Sequence, residues 1–130
     1  MRFVDTNVLL YSVSTLPAEA QKAAVARALL KNRDLALSVQ VLQEFYVQAT
    51  RPSRTDPLSH DDALAFIATW QRFPIADVTL GLFHEAMAAK ARYQLSYWDS
   101  AIIAAARMTG CTEVLSEDMN AGRIMAESAW

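Results

Sequence analysis

Four acids stand apart along 130 residues in settings where a carboxylate can do chemistry: Asp5 in V-D-T-N, Glu44 in V-L-Q-E-F, Asp99 in Y-W-D-S-A-I-I-A-A-A and Asp118 in V-L-S-E-D-M-N. Taken singly, each has an ordinary structural explanation. Asp5 breaks an apolar stretch at a strand-to-helix turn, where an N-cap accepts a backbone N–H from a helix beginning near Val8. Glu44 falls beside the apolar stripe Val41, Leu42, Phe45, Tyr46 and Ala49, where a solvated flank glutamate is common. Asp99 precedes Ile102 and Ile103 by three and four residues and so shares a helix face with them. Ser96 and Asp99 also have capping-box spacing, and an acid in a first turn suits the helix dipole. Ser116 or Asp118 could cap a short terminal helix, with Glu117 solvated.

The chemistry lies in the set. Carboxylates brought to close quarters raise one another's pKa and cannot all stay ionised without compensation. A divalent cation supplies that compensation, and oxygen-only ligands favour Mg²⁺ or Mn²⁺. Zinc spacing of Cys and His is absent, and His60 and His84 stand alone in helical patterns as surface residues. Carboxylate-held Mg²⁺ suits phosphodiester hydrolysis, because the metal lowers the pKa of a bound water, neutralises the scissile phosphate and supports the leaving oxygen. No side chain is placed as a covalent nucleophile. Thr6 and Ser116 neighbour acids and could orient a carboxylate or the water, or be plain turn and cap residues.

Positioning these residues requires strands and helices in alternation. Periodicity predicts a strand at Arg2 to Val4, a short helix, and a helix from about Ala18 to Lys31. A strand follows at Leu35 to Ser38, then a helix from Val39 to Thr50. The prolines of R-P-S-R-T-D-P mark a loop over 51–57. A helix starts behind Ser59, a strand covers Ile75 to Val78, and a helix runs from Leu80 to Tyr93. The next helix begins at Ser96 or Trp98 and stops at Gly110, before a strand at Glu113 to Leu115. Strands separated by helices pair in parallel with helices on both faces, so the fold class is α/β, with functional residues at the carboxyl ends of strands. Asp5 follows the first strand and Asp118 the last.

Composition narrows the function classes. The chain has one domain's length, 53% hydrophobic residues and a net charge of −2, so no global charge draws it to nucleic acid or anionic lipid. Asp5 and Asn7 interrupt any signal-like apolar run, and no later run reaches a membrane span, so a soluble protein with no membrane partner is expected. Cys111 is the single cysteine, which excludes an intrachain disulfide and suits a cytoplasmic location. The three glycines form neither a P-loop nor a G-x-G-x-x-G turn, and D-T-N lacks a second aspartate two residues after Asp5.

In order and flanks, V-D-T-N-V-L-L-Y, V-L-Q-E-F, Y-W-D-S-A-I-I-A-A-A and L-S-E-D-M resemble the PIN-domain nucleases, and among them the VapC-type toxins of bacterial toxin–antitoxin pairs. The resemblance spans Met1 to about Gly122. It implies a single PIN-like domain over 1–130, a three-layer α/β/α sandwich around a small, mostly parallel sheet of four to five strands. Asp5, Glu44, Asp99 and Asp118 are then both the catalytic and the metal-binding acids of a ribonuclease using one or two Mg²⁺ or Mn²⁺ ions. Thr6 and Asn7 support the first acid, and Ser116 takes the place of the serine or threonine in an [ST]-x-D motif. A homodimer, a cognate antitoxin that blocks the site, an RNA substrate, and operator DNA reached only through the antitoxin are implied as well. Members of this family continue past L-S-E-D-M into an edge strand and an apolar tail. The segment G-R-I-M-A-E-S-A-W departs from that pattern, so the edge strand is expected to be missing or altered. This departure raises the alternative of a catalytically silent PIN domain that serves only as its antitoxin's partner. Arg51, Arg54 and Arg92 are candidates for phosphate contact and are left unassigned; nine of the twelve basic residues are arginine.

Overall fold

A computed structural model describes residues 1–116 and the backbone of 121–123. Five strands form one sheet: β1 (Arg2–Val4), β2 (Leu35–Ser38), β3 (Ile75–Ala76), β4 (Glu113–Leu115) and β5 (Ala121–Arg123), in the order β3-β2-β1-β4-β5. The first four pair in parallel, and β5 runs antiparallel to β4. β5 lies beside β4, so β4 is not left at the sheet edge. The A-G-R sequence of β5 has no β-branched or alternating apolar signal, and backbone pairing with β4 defines it.

Between the strands lie α1 (Thr6–Ser12), a 3₁₀ turn at Pro17–Glu19, α2 (Ala20–Leu29), α3 (Val39–Ala49), α4 (His60–Trp70), α5 (Leu80–Tyr93) and α6 (Tyr97–Met108). All four residues of β2 are buried, and since successive side chains point to opposite faces, both faces of the sheet are covered. On α1 lie α2 and α3, while α6 packs on β2, β3, β4 and α5. The result is the expected α/β sandwich. Its core gathers Phe3, Val4 and Leu9 with Leu35, Leu37, Phe45 and Leu115.

Local chemistry explains the helix limits. The hydroxyl groups of Ser38, Ser59, Thr79 and Ser96 each accept an N–H three residues on, which opens α3, α4, α5 and α6. Pro17 starts a 3₁₀ turn ahead of α2, so that helix begins two residues later than expected. The strand expected through Val78 stops at Ala76, and Val78 is exposed. At the end of α6, Gly110 adopts φ +79° while the Cys111 N–H reaches Ala106 O at 2.8 Å and the Gly110 N–H reaches Arg107 O at 3.0 Å. This is the double closure that favours glycine after a helix.

Asp56 ties the 51–57 loop to the segment after α1. Its carboxylate accepts the Thr15 backbone N–H at 3.0 Å, the Thr15 hydroxyl at 3.2 Å and Arg54 Nε at 3.1 Å. The Thr15 N–H bond, with the Arg54 charge behind it, holds this carboxyl below its ordinary range. Because the folded value is depressed, the stabilisation is complete above the ordinary aspartate value and is lost as pH falls through the folded one. Asp56→Ala is expected to cost about 1–2 kcal/mol at pH 7. The gap from wild type should close below about pH 3.8 in urea titrations, since 3.8 is the ordinary value; a gap independent of pH would contradict this.

Candidate metal centre at the carboxyl edge

The strand order places a topological switch point between β1 and β4. The chain leaves β1 toward β2 and β3 on one side, then returns through α5 and α6 to β4 on the other. Crevices at such points, beyond the strands' carboxyl ends, are where open α/β sheets bind ligands. The register Val4↔Leu115 brings those two ends level, and the Asp5 N–H extends the ladder to Leu115 O at 3.0 Å. Asp5 and the half-buried Ser116 therefore follow paired strand ends.

Asp5 is the N-cap of α1, as its ordinary explanation requires, but the helix starts at Thr6 rather than near Val8, and the carboxylate accepts the Thr6 N–H at 2.7 Å. The same carboxylate is crowded. Burial is the main cause that pushes Asp5 above the usual carboxylate range, against the Thr6 N–H, and the negative charges of Glu44 and Asp99 push the same way. Among the described residues, no ion pair joins Asp5, Glu44 or Asp99 to a lysine or arginine. Capping and crowding thus coexist at one side chain.

Glu44 is no solvated flank residue. It is half-buried on α3. The Thr6 hydroxyl donates to its Oε2 at 2.9 Å and the Gln40 amide Nε2 donates to its Oε1 at 2.9 Å. Thr6 is 4% exposed and serves both acids, with its N–H on Asp5 and its hydroxyl on Glu44. Gln40, 7% exposed, is the residue that sequence reasoning missed; its i, i+4 spacing from Glu44 was the available signal. Asp99 is exposed in the first turn of α6, with its backbone N–H on Ser96 Oγ at 3.1 Å. Asn7 is exposed on α1. Asp118 lies outside the described residues.

These acids suit a hard divalent cation in donor chemistry: all oxygen, mutually repulsive, and with no cationic side chain paired to them among the described residues. Convergence is incomplete, because among the described residues no three Asp, Glu, His or Cys side chains form a group that could hold an ion. His60 instead pairs through Nδ1 with the Tyr46 hydroxyl at 2.9 Å, and His84 is exposed. Cys111 is buried as a small apolar residue. Arg54 is engaged by Asp56, Arg51 is exposed, and Arg92 lies over the Tyr93 ring at 5.9 Å. Among the described residues no helix is long and apolar enough to cross a membrane.

Comparison with solved structures finds the same fold in bacterial toxins. VapC20 of Mycobacterium tuberculosis, described as a sarcin–ricin-loop-cleaving toxin, is 21% identical, with a TM-score of 0.68 over 89% of this chain and 88% of that one. A toxin–antitoxin complex from Klebsiella pneumoniae is 19% identical, with a TM-score of 0.66 over 89% and 85%. VapBC2 from Rickettsia felis, solved with a DNA fragment from its promoter, is 15% identical, with a TM-score of 0.58 over 88% and 85%. No curated protein matches the sequence. The PIN domain family description matches residues 2–125. With nearly its whole length matched, the chain belongs to the PIN domain family.

Proposed function

We propose that this protein is a divalent-metal-dependent endoribonuclease, the toxin of a type II toxin–antitoxin pair, that works in the cytoplasm and is neutralised by a DNA-binding antitoxin. The observation that carries the reading is the crowding of Asp5 by Glu44 and Asp99 at the switch point, with no cationic side chain paired to them among the described residues. Asp5, Glu44, Asp99 and Asp118 would hold one or two Mg²⁺ or Mn²⁺ ions. When bound, the ion supplies the Lewis acidity that activates water and offsets the phosphate's charge. Asp5 is anchored at the start of α1, Thr6 fixes the spacing of Asp5 and Glu44, and Asp99 projects from the start of α6. Ser116, across the β1–β4 ladder from Asp5, and Asn7 support these acids. The family membership and the toxin–antitoxin neighbours support an antitoxin partner, which would also be the route to operator DNA. The same reading includes a homodimer.

The incomplete convergence of the described acids favours a second reading, a silent PIN domain that only partners its antitoxin. One experiment separates the two. Purified, antitoxin-free protein should fragment total RNA with Mn²⁺ and stop on chelation, and Asp99→Asn, folded as wild type, should be inert. No cleavage at any of several Mn²⁺ concentrations would establish the silent form.

A further inference from the structure

We propose that Gln40 is a positioning residue that presents Glu44 to the divalent ion, an inference that rests on the nuclease reading above. A side-chain amide that is 7% exposed must find hydrogen-bond partners or its burial is costly. The partner of the Gln40 Nε2 is the Oε1 of Glu44 at 2.9 Å, one helical turn further along α3. The other oxygen of Glu44 takes the Thr6 hydroxyl at 2.9 Å, from a different element. Glu44 is thereby bracketed through both oxygens, by a donor on its own helix and a donor on α1. A carboxylate offers about four acceptor positions, so two remain for an ion or its water.

The framework holds this bracket in register with the sheet. The Ser38 hydroxyl, 1% exposed, accepts the Val41 N–H at 3.2 Å and fixes the start of α3 directly at the end of β2. The neighbouring β1 ends at Val4 and hands its chain through Asp5 to Thr6. The choice of an amide also has a chemical reason. A lysine or arginine at position 40 would orient Glu44 equally well but would cancel the negative charge that attracts a cation. Glutamine orients the carboxylate and leaves its charge intact. Partners of this kind behind a metal ligand fix its orientation, and their loss costs on the order of 10–100-fold in metal affinity.

The test is Mn²⁺ binding to the metal-free protein, followed by calorimetry or electron paramagnetic resonance, with circular dichroism as the check on folding. Gln40→Met keeps length and volume but loses the donor, and should bind Mn²⁺ about 10–100-fold more weakly. Gln40→Asn keeps polarity but is one methylene short; it should show the same loss, and serves where the methionine variant does not fold. Glu44→Gln combined with Gln40→Met should bind no more weakly than Glu44→Gln alone, because Gln40 acts only through Glu44. Wild-type affinity in folded Gln40→Met, or additive losses in the double variant, overturns the role of Gln40 and leaves the nuclease reading standing. Absence of Mn²⁺ binding by the wild-type protein overturns both.

Discussion

Asp5→Asn is expected to abolish RNA cleavage while making the metal-free protein more stable. The two effects share one cause. Asparagine replaces the N-cap aspartate at little cost, since both types cap well and the Thr6 N–H at 2.7 Å keeps an oxygen acceptor. It also removes a half-buried negative charge that Glu44 and Asp99 oppose. In the proposed centre, loss of that charge takes away a ligand and part of the attraction for a cation, so a fall in cleavage of roughly 10³-fold or more is expected, the scale of losing several kcal/mol of transition-state stabilisation. The sign of the pH effect follows from the raised pKa. A folded state that holds its proton more tightly than the unfolded one becomes relatively more stable as pH falls. The Asp5 penalty is therefore fully present above its raised value and disappears as pH falls from there toward its ordinary value of 3.8. Urea titrations without metal should show Asp5→Asn above wild type at pH 7, with the two meeting at acid pH. A variant less stable than wild type at pH 7 would mean that Asp5 is mainly a cap.

Phe45→Ala should give the largest loss of stability, about 3–5 kcal/mol, as for other buried aromatic truncations. Phe45 is fully buried, and its ring meets Trp70 edge-on at 4.7 Å and 82°, joining α3 to α4. The loss is a large part of a typical domain's 5–15 kcal/mol. It should lower the urea midpoint by about 2 M for a chain of this size. Phe45 is also the residue after Glu44, so the contact that secures α3 against α4 also secures the helix carrying the bracketed carboxylate. A loss below about 1 kcal/mol would show that the site can collapse around the missing ring, contrary to the packing.

Much of this was legible in the residues themselves because short-range signals decided it. Ser59 and Ser96 announce helix starts through hydroxyl groups placed just ahead of apolar periodicity, and each caps as its position indicates. The β2 run L-A-L-S reads as a strand and is one, buried on both faces. What the chain alone did not reveal depends on neighbours distant in sequence. Glu44 resembles a flank glutamate until α1 is packed on α3 and the Thr6 hydroxyl arrives from 38 residues away. Gln40 reads as a polar residue on a mixed helix face for the same reason. β5 has no side-chain pattern to announce it, since backbone pairing with β4 supplies its order. The four acids were recognisable by motif, yet whether acids so far apart in sequence approach one another is decided by tertiary structure. For Asp5 it shows in the negative charges of Glu44 and Asp99, which add to burial in pushing its carboxyl upward.

The central claim is that a divalent ion sits among these carboxylates at the shared edge of β1 and β4. Diffraction from crystals soaked in Mn²⁺, collected at the manganese edge, tests it most directly. An anomalous peak within bonding distance of Asp5 and a second carboxylate, absent in Asp5→Asn crystals, is the predicted result. Density that leaves Asp5 without metal while Mn²⁺ binds elsewhere on the protein would contradict it.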